Sequence, residues 1–153
     1  MVYAVGVIEI KSIAKGVEAC DSALKSAGVR LISAHPSCPG KYEILLTGNL
    51  SDVQTALERV RSFYGSYIVD AVLMGRIDES VVKALMGAQT AVATGALGIV
   101  ETFSAASAIK AADTAVKTSK VEIYDLRVSR GMGGKGVVML TGDRKSAADA
   151  VAE

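Results

Sequence analysis

The chain repeats itself, and the repeat constrains its architecture more than any other feature. The segment AVGVIEIKSIAKGVEACDSALKSAGVRL, from Ala4, aligns with ALGIVETFSAASAIKAADTAVKTSKVEI, from Ala96, at a constant offset of 92. Identities include Ala4/Ala96, Gly6/Gly98, Glu9/Glu101, Ser12/Ser104, Asp21/Asp113, Lys25/Lys117 and Val29/Val121, and most other pairs exchange like for like. After one loop the register returns at offset 94, with Lys41 against Lys135 and Thr47-Gly48 against Thr141-Gly142. The two extra residues fall where both copies are glycine-rich. The chain is a tandem duplication of one small domain.

Each copy reads as an α/β (α+β) unit. Val5 to Ile10 is a β-rich apolar run, and Ser12, like Ser104, is placed to cap the helix that follows. Ile13, Val17, Cys20, Leu24 and Ala27 recur at helical spacing as one apolar stripe, repeated by Ala105, Ile109, Ala112 and Val116. Val29–Ala34 and Tyr42–Thr47 read as strands joined by the turn His35 to Lys41. Ser51 to Phe63 reads as a second helix, Tyr67–Met74 as a further strand and Asp78–Met86 as a short third helix. This divides the chain into a first domain at 1–88, a linker at 89–95 and a second domain at 96–153. The second copy lacks counterparts of Tyr67–Met74 and Asp78–Met86. Such a sheet has an open edge and exposed apolar surface, so the native chain is expected to continue for roughly 30 residues, as copy one does there.

Composition narrows the function. The 17 Lys+Arg against 16 Asp+Glu leave a net charge of +1, which speaks against a nucleic-acid binder acting through a general basic field. Ala84 to Val100 is uncharged, but it is shorter than a spanning helix and diluted by Gly, Gln and Thr, so no membrane partner is expected. No leader pattern opens the chain and two Cys make no disulfide framework, which makes the cytoplasm the expected location. With one His and no Ser-His-Asp set or acidic dyad, the residues predict no enzyme.

Few residues remain as candidates for chemistry. Cys20 lies on the apolar stripe and reads as a small buried thiol. Cys38 sits in the turn between Ser37 and Pro39, and its counterpart is Met132. From spacing alone it reads as an exposed loop thiol, and His35-x-x-Cys38 supplies only half of a tetrahedral metal set. Gly131-Met132-Gly133-Gly134-Lys135-Gly136 lacks the Ser or Thr of a phosphate-binding loop and leads into a strand, so it reads as a glycine hairpin. Lys25 and Lys117 lie near helix C-termini, where a cation is favoured, four residues after Asp21 and Asp113.

Both copies resemble the bacterial microcompartment shell domain. The resemblance is carried by the openings Ala4-Val-Gly-Val-Ile-Glu and Ala96-Leu-Gly-Ile-Val-Glu-Thr, the helix ends Leu24-Lys25-Ser26 and Val116-Lys117-Thr118, and the glycine turns before Lys41 and Lys135. The element order is the unpermuted one. Within the tandem class the chain is most similar to T-type shell proteins of propanediol-utilisation compartments, whose axis-facing cysteine turn matches Ser37-Cys38-Pro39-Gly40-Lys41. Copy one departs from the family at Leu73-Met74-Gly75-Arg76-Ile77, where an arginine-proline-histidine run is usual.

The resemblance implies a non-enzymatic structural shell protein, located in the shell of a cytoplasmic microcompartment. It implies a homotrimer of hexameric outline that tiles beside other shell proteins, with Lys25 and Lys117 at assembly edges. Ser37, Pro39, Gly40, Met132, Gly133 and Gly134 are then expected to line a central pore. Cys38 from each chain is expected to ligate one 4Fe-4S cluster per trimer, for electron transfer across the shell to or from an enclosed redox enzyme. Two alternatives stand beside it: a passive metabolite pore without a cluster, and a small ligand-binding regulator or enzyme of ferredoxin-like type.

Overall fold

The structure is a computed structural model that describes residues 4–152. It forms two compact units, divided between Ile77 and Asp78.

The first unit runs β1 (Ala4–Ile10), α1 (Ile13–Ser26), β2 (Arg30–Ser37), β3 (Lys41–Gly48), α2 (Leu50–Tyr64), one turn of 3-10 helix (Gly65–Tyr67) and β4 (Ile68–Met74). Its antiparallel sheet has the order β2-β3-β1-β4. The side chains of Ile8, Ile10, Ile44 and Leu46 meet Ala19, Ala23, Val53, Leu57 and Val60 of α1 and α2 in one core. All seven residues of β1 are buried, as befits a central strand covered on both faces. Ser12 caps α1 by accepting the Lys15 N–H at 3.3 Å.

The second unit runs α3 (Glu79–Leu85), β5 (Ala96–Thr102), α4 (Ala105–Thr118), β6 (Val121–Val128), β7 (Gly136–Gly142) and α5 (Arg144–Ala152). Its sheet is antiparallel with the order β5-β7-β6. Ser104 caps α4 as Ser12 caps α1. Among the described residues β5 pairs with β7 alone, and Leu97 and Ile99 are half exposed where their counterparts Val5 and Val7 are buried.

Three expectations need correction. The α1 stripe is rotated: Gly16, Ala19, Cys20 and Ala23 face the core, while Ile13 and Val17 are about half exposed. Small residues face inward because the helix approaches the sheet closely, with Gly16 against the ring of Tyr42. Strand β2 continues through His35, Pro36 and Ser37, which leaves a turn of only Cys38, Pro39 and Gly40. Proline is tolerated because β2 is an edge strand and its missing N–H breaks no ladder.

The third difference concerns α3, which the sequence joins to the first copy. In the structure α3 packs on β6 and α4, within the second unit. The backbone N–H of Asp78 donates to Asp113 Oδ1 at 2.7 Å, and Val81 and Ala84 are buried beneath it. Asp78 caps the helix by accepting from Ser80 Oγ at 2.6 Å and from Ser80 N at 2.9 Å. These bonds to Ser80, side chain first, hold the Asp78 carboxyl below its usual range. A lowered carboxyl stabilises the fold above its unfolded value, and that share is lost as pH falls through the folded value. Asp78→Ala is therefore expected to cost about 1 kcal/mol in urea unfolding at pH 7, the usual weight of an N-cap. The gap from wild type should narrow in acid.

Candidate functional site

The β2–β3 turn is built by residues with little freedom. Pro36 and Pro39 restrict the backbone on either side of Cys38, and Gly40 takes φ +72°, a conformation open to glycine. Cys38, Pro39 and Gly40 are exposed, whereas Ser37 ends β2 with its hydroxyl buried and no hydrogen-bond partner. The turn lifts one thiol clear of the strand ends. Cys20, the other thiol, is buried in α1, where desolvation raises its pKa and keeps it protonated.

The corresponding turn of the second unit is Arg130 to Gly134, between Ser129 and Lys135. Ser129 donates its N–H to Lys135 O at 3.1 Å, and Lys135 donates its own to Met132 O at 3.2 Å. Gly131, Gly133 and Gly134 all have positive φ, and so has Ser129 at +53°. This is the glycine hairpin expected from sequence, two residues longer than the Cys38 turn. Met132 is half-buried, Gly133 exposed and Gly134 buried, so Ser37 and Gly134 are the two expected pore residues withdrawn from the surface of the chain.

Below the Cys38 turn lies a group that sequence reasoning missed. Glu9 and Glu43 stand directly opposite on β1 and β3, both fully buried, and the nearly buried Lys41 donates to Glu9. His35 faces Glu43 across β2–β3, with Nε2 3.9 Å from Glu43 Oε1. The second unit keeps only Lys135–Glu101, at 2.7 Å and exposed. The readable signal was the mismatch of Glu43 with Val137, next to that of Tyr42 with Gly136, in strands that otherwise exchange like for like.

Lys25 and Lys117 are exposed at the ends of α1 and α4. They donate to Asp21 at 2.7 Å and Asp113 at 2.6 Å, the i,i+4 pairs the repeat predicts. Among the described residues no three His, Cys, Asp or Glu side chains come together to hold a metal within one chain. Cys38 would supply an iron–sulfur site with one soft, exposed sulfur donor per chain, and further thiols would then have to come from other chains. No helix among the described residues is long and apolar enough to cross a membrane.

Two duplicated units, an antiparallel sheet with two helices in the first and with three in the second, agree with the similarity to known proteins. The BMC domain profile matches residues 4–77 and again 96–153. The chain belongs to the BMC domain family. It is 40% identical over 151 residues to the bacterial microcompartment shell protein PduT of Citrobacter freundii, covering 99% of this chain and 82% of that protein. Over 58 residues it is 34% identical to the shell protein EutK of Salmonella typhimurium, covering 38% of this chain and 35% of that one. The crystal structure of a microcompartment protein from Desulfitobacterium hafniense superposes with a TM-score of 0.90 at 40% identity, over 99% of this chain and 84% of that one. A double-ringed trimeric shell protein of the RMM microcompartment shares the fold alone, with a TM-score of 0.73 at 16% identity over 97% of this chain and 78% of that one. This BMC chain is thus a microcompartment shell protein similar to PduT, located in the shell within the bacterial cytoplasm, and its relatives are named for shell structure and not for a reaction.

Proposed function

We propose that the chain forms a homotrimeric, pseudohexameric tile that carries a 4Fe-4S cluster on its threefold axis and passes electrons across the shell. One observation carries this reading: the single exposed thiol of the described chain sits at the tip of a braced turn, and the repeat places no thiol in the matching turn. Head-to-tail association of three two-domain chains closes a ring of six domains. Around its axis three Cys38 turns alternate with three Met132 turns, which brings three thiols together and not six. Three Cys38 thiolates are soft donors suited to iron–sulfur ligation, and such a site leaves one iron for an outside ligand. When bound, a cluster of this type accepts and returns single electrons.

In this reading Pro39, Gly40 and Gly133 face the axis directly, with Met132 beside them, while Ser37 and Gly134 support the turns from behind. Lys25 and Lys117, already paired at helix ends, form the edges where tiles meet other shell proteins. An enclosed redox enzyme is the electron partner. Iron and acid-labile sulfide per chain on anaerobically purified protein, with mass in solution, test the proposal. A trimer holding one cluster contains about 1.3 irons per chain. A trimer that stays free of iron after anaerobic reconstitution leaves a passive metabolite pore, and a monomer with saturable ligand binding leaves a small regulator.

A further inference from the structure

We propose that the corner between α1 and β2 is a docking surface for a short helix of another polypeptide chain, one built like α3. None of its residues belongs to the Cys38 turn, so its occupancy is independent of any cluster. The duplication supplies the occupant. In the second unit α3 packs on β6 and α4. Asp113 of α4 uses both carboxylate oxygens there: Oδ1 accepts the Asp78 N–H at 2.7 Å and Oδ2 the Lys117 ammonium at 2.6 Å. One turn earlier on the same side of α4 Ile109 is buried, as is Ile123 of β6. From α3 the buried side chains are Val81 and Ala84.

The first unit repeats this corner and exposes it. At the offset of 92, Val17, Asp21, Lys25 and Leu31 stand for Ile109, Asp113, Lys117 and Ile123. Asp21 Oδ2 accepts from Lys25 at 2.7 Å, while no donor among the described residues reaches Oδ1. The Asp21 side chain is 60% exposed against 14% for Asp113. Leu31 is 44% exposed against 3% for Ile123, and Val17 is half exposed. The registers set Leu31 opposite Leu46 and Ile123 opposite Leu140, both buried core residues. Opposed residues share a face, so Leu31 lies on the helix-bearing side of its sheet and is still open.

What the two copies keep separates this corner from ordinary surface. Exposed neighbours drift: Glu18 stands against Lys110 and Arg30 against Glu122, each a reversal of charge. The corner holds Asp21/Asp113 and Lys25/Lys117 unchanged, with aliphatic side chains at Val17/Ile109 and Leu31/Ile123. Single exposed apolar residues are common, but these two accompany a carboxylate whose counterpart ties down a helix. The chemistry of the partner follows. It offers Asp21 Oδ1 a backbone N–H from the start of a helix, and it covers Val17 and Leu31 with small apolar side chains three residues apart. The chain's own α3 is committed to the second unit, so this helix comes from another chain.

The probe is the acetylated, amidated peptide of residues 75–88 with a lactam joining Glu79 to Lys83. Those two side chains already pair at 2.8 Å and are exposed, so the lactam fixes the helix without touching its buried side. Titrated into the full chain, the peptide should give saturable shifts of backbone amides in α1 and β2. Asp21→Ala should weaken binding about tenfold, the weight of one hydrogen bond to a charged group. Leu31→Lys should abolish it, as should Val81→Asp in the peptide. Asp21 and Leu31 are both exposed, so neither change disturbs the core. A peptide that leaves the spectrum unchanged, or that shifts α4 and β6 by displacing α3, overturns the docking surface. Wild-type affinity in Asp21→Ala or Leu31→Lys overturns it equally.

Discussion

Replacing Cys38 with serine is expected to remove all bound iron while leaving the trimer intact. Wild-type protein purified without oxygen should hold about 1.3 irons per chain, and Cys38→Ser protein should fall to background. The effect is total because a threefold axis would multiply the substitution: one change per chain removes every thiol at the proposed site. Serine offers a harder oxygen donor, poorly matched to iron–sulfur chemistry. Cys38 is exposed and packs in no core, so unfolding stability should move by no more than about 0.5 kcal/mol. Unchanged mass in solution then separates loss of a ligand from loss of assembly. Cys20→Ala is the matched control. Its thiol is buried and held protonated, so that variant should keep its iron and lose about 1 kcal/mol of stability to a small cavity. Full iron in Cys38→Ser protein would remove Cys38 from the site.

The duplication was readable because identities at one offset survive where strands and helices must pack the same way twice. The caps Ser12 and Ser104 were readable for a local reason: each precedes a run at helical spacing and bonds within its own turn. What the sequence hid depends on neighbours distant in the chain. Pro36 reads as a turn residue until its strand is known to be the edge of the sheet, where a missing N–H breaks no ladder. Ile13 and Val17 read as core because they are large and apolar, yet the close helix–sheet approach selects Gly16, Ala19 and Ala23 for the inner face. Helix α3 follows copy one in the chain, but Val81 and Ala84 find their cover in the second unit. Glu43 was missed because a lone carboxylate in a strand normally marks a solvent face, and only the register reveals Glu9 and His35 on either side. The thiol at Cys38 could be found from sequence; in the proposed trimer its partners would belong to other chains, which no spacing within one chain displays.

The two copies solve one packing contact in opposite ways, and exchanging the solutions should expose the coupling between them. In the first unit Gly16 of α1 sits against Tyr42 of β3, and a methyl group added at Gly16 would lie 2.3 Å from Tyr42 Cβ and 2.5 Å from Cγ. The equivalent pair in the second unit is Ala108 of α4 and Gly136 of β7, and a methyl group at Gly136 would lie 2.3 Å from Ala108 Cβ. Each contact thus admits one side chain, taken by the strand in copy one and by the helix in copy two. Gly16→Ala forces the helix away from the body of the Tyr42 ring, which has no flexible end to yield. Overpacking of this kind costs 1–3 kcal/mol, and alanine's better helix propensity offsets up to about 1 kcal/mol of it. A net loss of about 2 kcal/mol is expected, read as a lower urea midpoint at unchanged slope. Gly136→Ala gains nothing from helix propensity and should lose slightly more. Tyr42→Gly alone also destabilises, since it empties the same space and puts glycine in a strand. The double variant Gly16→Ala/Tyr42→Gly recreates the helix-Ala, strand-Gly pair of the second unit, so its loss should fall short of the sum of the singles by about 2 kcal/mol. Additive losses would mean that the helix finds another route past Tyr42, and that the exchange of glycine between the copies does not set how closely helix and sheet approach.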